Sequence, residues 1–237
     1  MRSRLGAFAL TVAAATCALI APAAAGEPFG GQPSTADYAY LGGVSALSLG
    51  LSFWPIDPHP PRGRTPAFDL AYRDAVAWAP VDRPFAMRGS DVLVSTLMLA
   101  AVAAPWLHQD SSADTDLAAT TVAAQGLMTT VLLASIAKPS VARIRPDADL
   151  TRSRDAYASF FSGHTSSAFA AATSLTFTAT EQRWRPAARW AVPVTAFTAA
   201  AATGYLRTAA RRHWLTDVSV GALVGTGTTC LTYWMQP

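Results

Sequence analysis

Apolar residues recur along this chain in six segments, at 38–56, 92–107, 117–137, 164–180, 190–206 and 214–235. Each is 16 to 22 residues long. Strands rarely exceed about 10 residues, so the pattern predicts helices, and six of them make an all-α bundle. Two stretches interrupt it. Residues 26–37 are rich in Gly, Pro and Ser and read as a flexible leader, and residues 57–91 mix prolines with Arg and Asp. The second stretch predicts a long connection, with a short amphipathic helix around 67–79. The reading is therefore one domain over 38–237, and the length of 237 residues suits it.

The first 25 residues follow another rule. Arg2 and Arg4 precede an apolar run from Leu5 to Ala21, and Ala23 and Ala25 follow with the small side chains that signal peptidase requires. This predicts a cleaved secretory signal; an N-terminal membrane anchor is the alternative. Cleavage after Ala25 would remove Cys17 and leave Cys230 as the remaining thiol. It would also lower the formal net charge from +3 to +1 by removing Arg2 and Arg4. The basic excess is then largely a targeting feature. The other arginines are scattered, without the basic stripe that nucleic acid requires.

Composition leaves the relation to a membrane open. The chain is 51% hydrophobic and 14% charged, but its alanine content keeps mean hydropathy at +0.24. Segments 38–56 and 117–137 approach the roughly 20 apolar residues of a membrane span. Segment 92–107 is short, 164–180 is full of Ser and Thr, and 214–235 contains Asp217. A soluble exported bundle is the competing expectation.

Reactive side chains gather at helix edges in three places: Lys138 to Pro146, Phe161 to His164, and Arg207 to Asp217. In an up-and-down bundle, connectivity alone brings these three stretches to one end. His213 and Asp217 stand four apart, within reach on one helix face, and a carboxylate behind an imidazole supports a nucleophilic or basic ring. Arg207 can join them only if the chain turns within 208–212. Ser162, Gly163 and His164 open a helix, where backbone N–H groups receive anions. Lys138 and Arg145 flank a proline-bearing segment, read here as a loop.

Taken together, the three stretches resemble the motifs of the type 2 phosphatidic acid phosphatase (PAP2) superfamily. That superfamily also holds exported non-specific acid phosphatases and vanadium haloperoxidases. K-x6-R-P is matched by Lys138, Arg145 and Pro146. P-S-G-H appears as Ser162, Gly163 and His164, with Phe161 at the proline position. S-R-x5-H-x3-D is matched by Arg207, His213 and Asp217, with Leu206 in place of serine. The resemblance implies a six-helix bundle with its active site at one end. It implies His213 as nucleophile, Asp217 as the residue orienting it, and His164 as acid and base. Lys138, Arg145, Ser162, Gly163 and Arg207 would bind phosphate, with no metal or other cofactor. Leu206 implies one phosphate contact fewer, or an apolar neighbour for the substrate.

The implied substrate is a lipid phosphate, a polyprenyl or lipid pyrophosphate, or, for a soluble form, a small phosphomonoester. A haloperoxidase and a catalytically inactive membrane protein are the rival readings. The implied location is the bacterial cell envelope, either the inner membrane with an extracytoplasmic site or the periplasm. Topology carries a conflict. In an integral family member, three helices up to the first motif would start residue 38 in the cytoplasm, whereas a signal or anchor at 1–25 would place it outside. Loop charges disagree too: Asp110, Asp114 and Asp116 favour the outside for 108–116, whereas 181–189 is net positive.

Overall fold

A computed structural model describes residues 31–54, 65–107, 111–148 and 154–236; the expected signal segment, residues 1–25, lies outside them. Seven α-helices are present among the described residues: α1 Thr35–Ser52, α2 Ala67–Val76, α3 Arg83–Ala103, α4 Ala113–Val141, α5 Gly163–Glu181, α6 Pro186–Ala209 and α7 Leu215–Trp234. The described residues contain no strand, and the fold is all-α. Six long helices form the bundle, and α2 is the short helix expected after the first of them.

Several boundaries differ from the sequence reading. Helix α3 begins at Arg83, nine residues before the apolar run, because Asp82, Arg83 and Pro84 start it while Arg88 and Asp91 dilute its hydrophobicity. The chain reaches α4 through Ser112, whose side chain accepts from the Thr115 N–H. Helix α4 continues past Lys138 and contains Pro139, so the segment read as a loop starts only after Val141. Ala142 then closes it with a left-handed backbone, φ 47°, and its N–H returns to the Lys138 carbonyl at 2.9 Å. Finally, α1 starts at Thr35 because Ser34 and Asp37 cap it reciprocally.

Helix α5 is the centre of the molecule. Every residue from Thr165 to Ala179 is buried, with α3, α4, α6 and α7 packed around it. Its serines and threonines suit this position because their hydroxyls bond back into the helix. Thr173, Ser174 and Thr176 donate to the carbonyls of Phe169, Ala170 and Ala172. Small side chains also let backbones approach. A methyl group at Gly225 of α7 would lie 2.0 Å from the Ser166 carbonyl oxygen, and one at Gly221 would lie 2.8 Å from that of Ser162. These two glycines set the α5–α7 distance, and with it the positions of the residues at the helix ends. Phe169, Phe197, Leu127 and Leu175 fill the apolar interior.

Hydrogen bonds fix the directions. Asp37 and Tyr40 of α1 meet Gln125 and Thr129 of α4, so α1 runs parallel to α4. Gln182, just after α5, bonds Asp116 at the start of α4 and the Pro105 carbonyl after α3. Residues 111–116 and 181–189 therefore share one end, as expected for the two connections. The three motif stretches lie at the other.

Among the described residues, two helical stretches are long and apolar enough to cross a bilayer: Arg83–Leu107, at hydropathy 1.6, and Ala113–Val141, at 1.5. Segment 38–56 is not among them, whereas 117–137 lies inside the second.

Candidate active site

The chain turns between α6 and α7, and this turn brings Arg207 and His213 together. Arg207 is in the last turn of α6; Arg211 adopts φ 57°, and the Arg212 N–H bonds back to the Arg207 carbonyl at 3.0 Å. The turn that the spacing required is thus present. His213 consequently precedes α7 rather than sharing a helix face with Asp217.

The His213 ring is buried, and its Nδ1 lies 2.7 Å from the main-chain oxygen of Ser159. A carbonyl only accepts, so Nδ1 carries the proton and Nε2 keeps the free electron pair. The Asp217 carboxylate is 3.8 Å from the same Nδ1, an electrostatic neighbour rather than the hydrogen-bond partner. It is itself fully buried and tightly held. Oδ2 accepts from the Ser159 hydroxyl at 2.6 Å and from the Trp214 N–H at 2.9 Å, and Oδ1 accepts from Arg143 at 2.5 Å. Burial pushes the His213 pKa down to about 4, with Asp217 acting against it and Arg207 with it.

The cationic groups approach from three elements. Lys138, in the last turn of α4, lies beside the first residue of α5: a methyl group at Gly163 would be 3.7 Å from its Nζ. Arg145 follows in the segment after α4, anchored by its own N–H on the Ala156 carbonyl at 2.8 Å. Arg207 reaches Ser90 at 3.3 Å and Asp91 at 3.4 Å. Lys138, Arg145 and Arg207 are near enough to repel one another. Both arginines are buried, yet Arg145 Nε and Nη1 and Arg207 Nε have no hydrogen-bond partner, as is true of Nε in Arg211 and Arg212 in the adjoining turn. Buried guanidinium N–H groups are costly to leave unmatched, and an oxyanion would match them.

Helix α5 opens on this cluster. Ser162 is its N-cap, fully buried; its hydroxyl accepts from the Thr165 hydroxyl at 2.9 Å, and its N–H donates to the Asp217 carbonyl at 3.1 Å. Ser162 thereby ties α5 to α7. Gly163 and His164 form the first turn, whose N–H groups and dipole face this end of the bundle. Phe161 is buried and packs edge-on against Phe160, with ring centroids 6.0 Å apart. The His164 ring is more open, and its Nε2 lies 2.8 Å from Asp91 Oδ1.

All eight sequence-selected residues therefore converge on one end. Four partners were not selected: Asp91, Arg143, Ser159 and Asp69. Asp91 was hidden in a stretch read as connection. Arg143 stands two residues before Arg145 and offered a spacing signal, whereas Ser159 acts partly through its backbone and left none. Leu206 packs on α3, where a methyl group at Gly89 would be 3.3 Å from its Cδ1.

No curated protein and no solved structure matches this chain. The family model of the PAP2 superfamily does match, over residues 118–237, which hold all three motifs. The chain belongs to the PAP2 superfamily, a phosphatase-type family.

Proposed function

We propose that this protein is a phosphohydrolase acting on a lipid phosphate or a polyprenyl or lipid pyrophosphate through a phosphohistidine. The observation that carries the reading is the pairing of a ring whose Nδ1 is tied to Ser159 with buried arginine N–H groups that make no hydrogen bond. The Nε2 pair of His213 attacks phosphorus in line. The bond to the leaving oxygen breaks, its electron pair leaves with that oxygen, and His164 supplies the proton. In the second step His164 takes a proton from water, the resulting hydroxide attacks phosphorus, and the N–P bond breaks to return its pair to Nε2. Lys138, Arg145, Arg207 and the first-turn N–H groups of α5 hold the equatorial oxygens, on which charge concentrates. The chemistry is complete without a metal.

Exposed rings support a lipid substrate and an envelope location. Phe85, Val92 and Leu99 recur every seven residues along one exposed face of α3, and exposed Trp106 follows at the same spacing in the turn after it. Exposed Trp106, Trp190 and Trp234 stand at the far end, and Phe53, Trp54, Phe68 and Phe85 at the site end. Aromatic residues exposed at both ends of a bundle are what the two interfaces of a bilayer favour. In this reading the site lies at one interface of the inner membrane, on its extracytoplasmic side.

The test is phosphate release from phosphatidate, undecaprenyl pyrophosphate and a soluble aryl phosphate, in washed membranes and in the periplasmic extract. Membrane-bound activity favouring a lipid, with an acid-labile phosphoenzyme at His213, is expected. Activity in the soluble extract with an aryl preference would replace this reading by an exported acid phosphatase.

A further inference from the structure

One buried carboxylate has no part in the chemistry above. Asp69, on α2, is 0% exposed and lies outside all three motifs. Its Oδ2 accepts from Arg143 Nη2 at 2.7 Å and from the Thr216 hydroxyl at 2.7 Å, and its Oδ1 accepts from the Thr216 N–H at 3.0 Å. Arg143 uses its other nitrogen, Nη1, on Asp217 Oδ1 and on the Thr216 hydroxyl. The guanidinium also lies over the Trp214 ring, 5.5 Å from its centroid. The chain of contacts therefore runs Asp69, Arg143, Asp217, Ser159, His213.

Charge arithmetic gives this chain a purpose. A guanidinium paired with Asp217 alone would cancel the carboxylate as His213 experiences it. Sharing Arg143 between two carboxylates leaves one negative charge uncompensated behind the ring. That charge is useful when Nε2 bonds to phosphorus, because Nδ1 keeps its proton and the ring becomes cationic. We propose that Asp69 is a positioning residue for His213, acting through Arg143 to keep Asp217 electrostatically available to the ring. The proposal rests on the phosphohistidine reading.

The other charged groups at this end include Arg73 and Asp74 on α2, Arg207 on α6 with Arg211 and Arg212 in the turn after it, Lys138 on α4 with Arg145, Asp147 and Asp155 after it, and Asp91 and His164. They stay constant across the variants below. Asp69→Asn leaves the cluster neutral, Arg143→Gln leaves it doubly negative, and the double variant restores a single negative charge.

The experiment measures kcat, KM and the pH profile of the full chain on a soluble aryl phosphate, with thermal melting to confirm folding. D69N should lower kcat about tenfold with KM nearly unchanged, the size of one charge-assisted contact. The acid limb of kcat/KM should move to lower pH in D69N, to higher pH in R143Q, and back toward the parent in D69N/R143Q. Asp69→Glu, which keeps the charge, should recover most of the rate. If D69N does not fold, the shift is read from R143Q against D69E, which keeps the charge and the parent limb: an acid limb in R143Q that stays in place overturns the proposal. Parent kcat and profile in folded D69N also overturn it, as do additive losses in the double variant with no movement of the limb. Those results would leave Asp69 as an anchor for α2. Activity in His213→Ala would instead remove the phosphohistidine reading itself, so the two failures are distinguishable.

Discussion

The two histidines at the site end are held in opposite ways. His213 is buried, its proton fixed by a main-chain carbonyl and its ring backed by Asp217, Ser159 and Arg143. His164 stands at the open end of α5 with its Nε2 on a single half-exposed carboxylate, Asp91. The difference fits two chemical duties. A nucleophile profits from one fixed orientation and one tautomer, so rigidity behind it costs nothing. A group that gives a proton to one oxygen and takes one from another must exchange with solvent, which burial would prevent.

The largest test of this contrast is removal of the rings. His213→Ala should reduce turnover at least about 1000-fold for every substrate, measured by phosphate release from folded protein. His164→Ala should reduce it about 100-fold or more for alkyl phosphates but far less for nitrophenyl phosphate, whose leaving group needs no proton. Equal losses for both substrates would erase the division of labour.

Asp217→Asn comes next. Because the Ser159 carbonyl rather than Asp217 fixes the tautomer, the loss should be about 100-fold, below the roughly 10,000-fold seen where a carboxylate alone holds the ring. A loss as large as that of His213→Ala would show that Asp217 controls orientation after all.

The pH profile reads both rings, because burial pushes the His164 pKa down to about 4 as well. Protonated His213 has no pair to attack with, so activity should disappear as pH falls through about 4, its depressed pKa in the folded protein. An acid limb near the ordinary histidine value would mean that water reaches the ring.

Asp91→Ala should give the smallest effect. A half-exposed ion pair is worth little, so kcat on alkyl phosphates should fall about twofold to fivefold. A lower KM with unchanged kcat would show that Asp91 competes with substrate for Arg207.

Much of this arrangement was legible from residue order. The six long helices followed from apolar runs, and the meeting of Lys138, His164 and His213 followed from helix-edge positions in an alternating bundle. The boundaries of α3 and α4 were not legible. Arg88 and Asp91 lowered local hydrophobicity although they sit on a helix, and Pro139 suggested a loop although α4 carries it. Both errors arise where charged residues serve the site rather than the core. Asp69 was equally hidden: a lone carboxylate in an amphipathic stretch reads as solvated until its partner 74 residues away is placed beside it.

The sequence by itself determined the fold class, the family and the candidate site residues, because apolar periodicity and motif spacing are local properties. Only the tertiary structure decided which atoms those groups use. The His213 tautomer depends on a backbone oxygen, and the charge behind Asp217 depends on a guanidinium shared with another helix. The α5–α7 distance depends on Gly221 and Gly225, where a methyl group has no room. Each of these is a contact between segments remote in sequence, and its energy exists only once packing has excluded water from between them.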